Sequence, residues 1–272
     1  MTASVHVSFL PCESDPDSFG GCTAVIIDVL RASTTITTAL RNGARAVVPC
    51  LTVEDALALR DADPQGNDRP LLGGERGGIR IDGFELSNSP RDYSPSVVAM
   101  RLIGFTTTNG TRALLHCRRA EHVIIGSFVN SARVFEFLTA VRKPVVFVCA
   151  GTNGEVTGED VLFAGMAVTD LMQQQAFSQE HRSAVGPTED LWEFTDSAQI
   201  AASYWQMTVR QDSNRSPVSS VDVSAALRKT RGGRNLIRLG YGDDIDIASQ
   251  IDSVPVLPRF DADRNRLELW VN

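Results

Sequence analysis

Six short runs rich in valine and isoleucine recur over the first 150 residues, each leading into a polar turn. They are "TAVIIDV" (23–29), "ARAVVPC" (44–50), "RPLLGGE" (69–75), "GFTTT" (104–108), "EHVIIGS" (121–127) and "PVVFVCA" (144–150). Between them lie "STTITTALRNG", "TVEDALALRDAD", "TRALLHCRRA" and "SARVFEFLTAV", with apolar residues every three or four positions. Near-continuous apolar strands suit a sheet buried on both faces, and their alternation with helices predicts βα units and a mainly parallel sheet. Local punctuation agrees. Thr52 and Asp55 spell a capping box, and Gly43 in "RNG" supplies a left-handed helix end.

Two stretches echo each other. "AVIIDVLRASTTITTAL" and "VVFVCAGTNGEVTGEDVLFAG" each read as strand, polar loop and helix. This predicts two similar α/β halves, 1–140 and 141–272, the second with a helical excursion around 174–235. Residues 174–190, polar and aperiodic, read as its linker. "TDSAQIAASYWQMTV" and "SVDVSAALRKTRGG" read as helices, "VPVLPRF" and "RLELWV" as closing strands.

Composition excludes several roles. A net charge of −7 argues against nucleic acid as partner. No apolar run approaches the ~20 residues of a membrane helix, and the N-terminus has no signal-peptide pattern. The expectation is a cytoplasmic protein without membrane association. The 5 cysteines are scattered and never form CxxC, which argues against disulfides and zinc.

Ligands of parallel α/β sheets bind beyond the carboxyl ends of the strands, so the residues there form the candidate site. The first strand delivers Asp28, Arg31, Ser33 and Thr34. The third delivers Glu75, Arg76, Arg80, Asn88 and Ser89 within "GGERGGIRIDGFELSNSP". "TTTNGTRA" adds Thr108, Asn109, Gly110, Thr111 and Arg112, and "AGTNGEVTGED" adds Asn153, Glu155, Glu159 and Asp160. Clustered carboxylates suit a hard cation such as Mg²⁺, while arginines and Gly/Ser/Thr turns suit oxyanions. Taken singly, Asp28 reads equally well as a helix cap, and Glu159 and Asp160 as acids favoured at a helix start. Their coincidence at four strand ends points to a metal and a polyanionic ligand. No histidine sits in these loops, and neither GxxxxGK[ST] nor GxGxxG occurs.

"DVLRASTT", "GERGG…GFELSNSP", "TTTNGTRAL" and "GEDVLFAG", in that order, resemble the 2-phosphosulfolactate phosphatase (ComB-like) family. The likeness runs from Asp28 to Gly165 and continues weakly through "RGGRNLIRLGYGDDIDIAS". It implies a three-layer α/β/α fold with two like halves and Mg²⁺-dependent hydrolysis of 2-phospho-3-sulfolactate to 3-sulfolactate and phosphate, a step towards coenzyme M. By resemblance the site comprises Asp28, Arg31, Ser33, Thr34, Glu75, Arg76, Asn88, Ser89, Thr108, Asn109, Gly110, Thr111, Glu159 and Asp160. Asp28, Glu75, Glu159 and Asp160 would hold the ion. Arg31 and the N–H groups of Ser33–Thr34 and Asn109–Thr111 would grip phosphate, and Arg76, with Arg80 or Arg112, the sulfonate and carboxylate.

Within this family the second motif reads GFD-x-GNSP, where this chain has Glu85 and Ser87, and Gly158 replaces a leucine before the Glu-Asp pair. These departures bear on which phosphorylated hydroxy acid is used. A non-catalytic binder of phosphorylated metabolites would employ the same loops. Either a water or Asp28 itself would attack phosphorus; position 30 is leucine, so the second acid of a DxD nucleophile motif is missing. A homodimer is compatible with the sequence.

Overall fold

The computed structural model describes residues 3–62, 69–180, 192–209 and 217–270. The strands are β1 (Ala3–Ser8), β2 (Thr23–Ile27), β3 (Ala46–Pro49), β4 (Leu71–Arg76), β5 (Ile79–Arg80), β6 (Leu102–Thr106), β7 (His122–Gly126), β8 (Val145–Cys149), β9 (Trp192–Phe194), β10 (Pro258–Asp261) and β11 (Arg266–Leu269). The helices are α1 (Ala32–Arg41), α2 (Val53–Asp61), α3 (Pro95–Val98), α4 (Gly110–His116), α5 (Ser131–Val141), α6 (Gly158–Glu180), α7 (Asp196–Thr208), α8 (Ser220–Lys229), α9 (Arg231–Arg238) and α10 (Gly242–Ala248).

All six expected strands form. β1 is an addition to them: it lacks a continuous apolar run, although the alternation of Ser4 and His6 with apolar residues is itself a strand signature. The capping box at Thr52 and Asp55 is present, and Gly43 takes φ +90° after α1. One expectation is corrected. Residues 174–180 continue α6 rather than forming a linker, since the glutamine-rich "QQQ" is a good helix former on an exposed face. Residues 181–190 of that stretch lie outside the described residues.

Among the described residues the strands form one sheet in the order β5-β4-β6-β3-β11-β10-β7-β2-β8-β1-β9. β4, β6 and β3 run parallel, as do β7, β2, β8, β1 and β9. Between the two blocks lies the antiparallel hairpin β10–β11, joined through Arg259↔Ile124 and Leu267↔Val47. Helices cover both faces. Val25 and Ile27 of β2 pack with Val134 of α5, Phe163 of α6 and Trp205 of α7, whereas Ala24 and Ile26 pack with Leu40 of α1 and Leu114 of α4. This strand alternation makes the chain a three-layer α/β/α protein.

The sheet also fixes where α6 begins. A β-carbon on Gly126 would lie 2.7 Å from both Phe163 and Val25, so only glycine lets Phe163 settle this close to the strands. The seating of Phe163 brings the first turn of α6, with Glu159 and Asp160, to the carboxyl ends of β2 and β8. Ile27 stands in register with Gly126 and Cys149. Asp28 therefore leaves the sheet between the ends of two neighbouring strands. Among the described residues no helix is long and apolar enough to cross a membrane.

Candidate active site

Beyond these strand ends opens a cavity of about 570 Å³. Asp28, Arg31, Glu75, Asn88, Thr108, Asn109, Glu159 and Asp160 all line it, so loops from four separate strands meet in one place.

Asp28 is fixed by its own turn. Its N–H donates to Ser33 Oγ (2.9 Å), and its carbonyl accepts the Ser33 N–H (2.8 Å). Oδ1 accepts the Ala32 N–H (3.2 Å), so part of the capping role is real. The Leu30–Arg31 peptide that follows is cis. Burial lifts the Asp28 carboxyl to about 7; the Ala32 N–H and Arg31 oppose the rise, while Glu75 and Glu159 add to it by repulsion. Burial, reinforced by the two neighbouring carboxyls, thus disfavours the charged form of Asp28 in the protein alone.

Glu75 ends β4 and is buried. Its two oxygens accept the N–H groups of Gly78 (2.6 Å) and Thr108 (2.8 Å), which orient the carboxylate from opposite loops. Glu159 and Asp160 open α6 and are both only 2% exposed. Burial raises the Glu159 carboxyl, with hydrogen bonds from Thr230, Thr157 and the Gly232 N–H opposing. A β-carbon on Gly232 would sit 2.0 Å from Glu159 Oε1, so α9 can approach only through glycine. Asp160 differs. Oδ1 accepts the Val29 N–H (2.9 Å) and Oδ2 the Gly151 N–H (3.0 Å). Both oxygens are committed to backbone, and burial with repulsion from Asp28 and Glu159 keeps its affinity for a proton high. Asp160 ties the β2 and β8 turns together.

The cationic wall is built by α9. Arg231, Arg234 and Arg238 line the cavity and are exposed. Each has a local partner: Arg231 pairs with Glu155, Arg234 donates to the Lys229 carbonyl, and Arg238 donates to Asn235 Oδ1 (2.5 Å). They follow no strand, so the residues at strand ends do not include them. Their signal was the i, i+3, i+7 spacing in "RGGRNLIR", which places all three guanidinium groups on one helix face.

Several expected residues stand elsewhere. Arg76 turns away from the cavity, donating to the Glu75 carbonyl (2.8 Å) and Thr106 Oγ1 (3.0 Å). Arg80 reaches towards the Glu85 carbonyl, and neither it nor Arg112 lines the cavity. Ser33 and Thr34 are buried, with Thr34 Oγ1 donating to the Val29 carbonyl (2.9 Å). The Ser33 N–H is already taken by Asp28, and the Thr111 N–H by Thr107 Oγ1 (3.3 Å), so neither is free to grip phosphate. Ser89 Oγ donates to Asp244 Oδ1 (2.7 Å). Gly110 serves by lacking a side chain, since a β-carbon there would lie 2.6 Å from Asp28 Oδ2.

The sequence departures also fall outside the cavity wall. Glu85 Oε2 accepts the Leu72 N–H (2.9 Å), and Ser87 Oγ donates to Asp92 (2.6 Å). A side chain at Gly158 would press within 2.7 Å of the Tyr204 hydroxyl. Two residues that line the cavity carry side-chain atoms without partners. Asn88 Oδ1 and Thr108 Oγ1 are buried without a hydrogen bond among the described residues. Such atoms incur a desolvation penalty unless a ligand or solvent meets them. Among the described residues no three acidic, histidine or cysteine side chains are gathered tightly enough to cage a metal by themselves.

Comparison with known proteins agrees with this geometry. The sequence profile of the 2-phosphosulpholactate phosphatase family matches residues 9–263. The chain is 34% identical over 238 residues to a Clostridium acetobutylicum protein named probable 2-phosphosulfolactate phosphatase, covering 88% of this chain and 89% of the relative. It is 37% identical over 245 residues to a Deinococcus radiodurans protein of that name, covering 89% of each. A Clostridium perfringens protein of the same name is 42% identical over 161 residues, a match that spans 59% of this chain and 65% of that relative's length. With four ordered motifs converging on one cavity and a profile that spans nearly its whole length, the chain belongs to the 2-phosphosulpholactate phosphatase family.

Proposed function

We propose that this protein is a Mg²⁺-dependent phosphatase that hydrolyses 2-phospho-3-sulfolactate to 3-sulfolactate and phosphate, the substrate named for its relatives. The observation that carries the reading is the mixed lining of the cavity. Carboxylates of Asp28, Glu75 and Glu159 line it together with the guanidinium groups of Arg231, Arg234 and Arg238. A ligand with a phosphate, a sulfonate and a carboxylate needs both a cation for its phosphoryl group and guanidinium groups for the rest.

The donor set fits Mg²⁺, which prefers oxygen, keeps several waters and takes only one or two carboxylates besides phosphate oxygens. Asp28, with Glu75 or Glu159, would hold the ion, which when bound neutralises charge on the phosphoryl oxygens as the P–O bond loosens. The chain's own groups do the rest. Asp28 presents a carboxyl at the carboxyl end of β2 where the ion is wanted, and the N–H groups of Gly78 and Thr108 orient Glu75. Arg234 and Arg238 orient the sulfonate and carboxylate. The amide of Asn88 and the hydroxyl of Thr108 take the remaining substrate oxygens. Asp160 positions the Val29 and Gly151 peptides that frame the cavity. We assign the attack to water. Leu30 lines the cavity where an aspartyl-phosphate enzyme of the DxD type would carry its second acid. The cytoplasmic setting belongs to the same reading, because all five cysteines are free and four are buried thiols.

Phosphate release from 2-phospho-3-sulfolactate, phospholactate and 2-phosphoglycerate, with Mg²⁺ and with excess chelator, tests the proposal. Mg²⁺-dependent release with the sulfonated ester preferred is expected. Binding of all three without release would make the protein a metabolite binder, and preference for an unsulfonated ester would reassign the substrate.

A further inference from the structure

Arg31 is the one arginine of the first motif, yet it is built into the protein rather than offered to a ligand. It is 2% exposed. Its Nη1 donates to Asp244 Oδ2 (2.8 Å), its Nη2 donates to the Gly78 carbonyl (2.7 Å), and its guanidinium carbon lies 4.4 Å from the centre of the Tyr241 ring. Asp244 is fully buried, and its second oxygen accepts from Ser89 Oγ (2.7 Å). Tyr241 and Asp244 both belong to the start of α10.

The contacts continue inward. Gly78, which receives Arg31 through its carbonyl, sends its own N–H to Glu75 Oε2 (2.6 Å). Gly78 holds φ +85°, and a β-carbon there would meet Leu239 Cδ1 at 2.7 Å, so the turn is clamped beneath the α9–α10 segment. Asp244, Arg31, Gly78 and the Glu75 carboxylate thus form an unbroken line of hydrogen bonds from α10 to the cavity. A buried ion pair is a weak source of stability, since an apolar pair of similar volume often serves as well. What this pair does fix is direction.

We propose that Asp244 is a positioning residue for Glu75, acting through Arg31 and the Gly77–Gly78 turn. This rests on the reading of the cavity as the active site, in which Glu75 helps to hold a divalent cation. Loss of Asp244 would free Arg31 to swing, release Gly78 and let the Glu75 carboxylate rotate. Groups that orient a ligating side chain from behind characteristically cost 10–100-fold when removed.

The test uses the full-length chain with Asp244→Asn, Glu75→Gln and the double substitution. Mn²⁺ binding is measured calorimetrically without substrate, kcat and KM are measured for phosphate release, and thermal melting without metal monitors the fold. Expected are a loss of Mn²⁺ affinity and of kcat of about tenfold in Asp244→Asn, with KM little changed and a lowered melting temperature, because the buried Arg31 charge loses its partner. The double variant should be no worse than Glu75→Gln alone, because both act on one carboxylate. A folded Asp244→Asn with unchanged Mn²⁺ affinity overturns the proposal, as do losses that multiply in the double variant. If Asp244→Asn does not fold, Arg31→Met with Asp244→Leu removes both charges at once. The same loss of Mn²⁺ affinity then supports the proposal, and undiminished affinity refutes it. Should Glu75→Gln itself bind Mn²⁺ and turn over normally, the reading of the cavity falls, and the inference with it.

Discussion

Gly110 approaches Asp28 so closely that a β-carbon on it would lie 2.6 Å from Oδ2 and 2.9 Å from the Ala32 methyl. The start of α4 therefore acts as a wall against which the Asp28 carboxylate is set. Gly110→Ala should push the carboxylate or the helix by several tenths of an ångström. Since misplacement by about 1 Å can cost about 10²-fold in rate, kcat should fall by roughly one to two orders of magnitude. Circular dichroism should remain that of the native fold. Wild-type kcat in Gly110→Ala would show that the contact has no bearing on turnover.

Glu159 and Asp160 are neighbours with different tasks. Asp160 binds the Val29 and Gly151 N–H groups with its two oxygens. Asp160→Asn turns one acceptor into a donor that faces a backbone donor, so urea denaturation should register a loss of about 1–3 kcal/mol. Glu159→Gln, on the cavity side, should lower activity at least tenfold while costing less stability than Asp160→Asn. The reverse order of stability losses would contradict the division of labour.

The arginine wall predicts a specificity effect. Arg234→Gln and Arg238→Gln should each raise KM for 2-phospho-3-sulfolactate about tenfold, equivalent to ~1.4 kcal/mol, with kcat little altered. KM for phospholactate, which lacks the sulfonate, should move less. Because these side chains are exposed, wild-type KM should also rise with added salt.

The buried Asp28 carboxyl predicts how stability varies with pH. The Asp28 carboxyl is raised to about 7, whereas an aspartate in an unfolded chain titrates near ~3.9. Between those values the folded state holds more protons than the unfolded state, so stability falls as pH rises through the window and levels off above it. In chelator the melting temperature should be higher at pH 5 than at pH 8, by roughly 5 °C. Mg²⁺ should narrow that gap by raising the pH 8 value. A melting temperature that rises with pH in chelator would contradict this electrostatic reading.

The sheet was legible in the sequence because strands buried on both faces leave apolar runs such as "AVII" and "VVFV" that need no alternation to be seen. β1 has no such run, and its only signature is the alternation of Ser4 and His6 with apolar residues. The acidic lining of the cavity was legible for a related reason: Asp28, Glu75 and the Glu159–Asp160 pair directly follow strands or open a helix that does. The cationic lining was not. Arg76 and Arg231 look alike in a sequence, and packing decides which one faces inward. Arg76 is turned onto Thr106, whereas the excursion after α7 folds back and lays α9 over the strand ends. Arg31 shows the same limit. Its place in the first motif marked it as important, but only the burial of Asp244 reveals that it braces a turn.

The most direct test of the account is steady-state phosphate release from 2-phospho-3-sulfolactate in Mg²⁺ by the wild-type chain and Asp28→Asn, with matched circular dichroism spectra. The account predicts turnover by the wild type, abolished by chelator, and a fall of about 10³-fold or more in Asp28→Asn. Absence of release by the folded wild type, or equal release by Asp28→Asn, would contradict it.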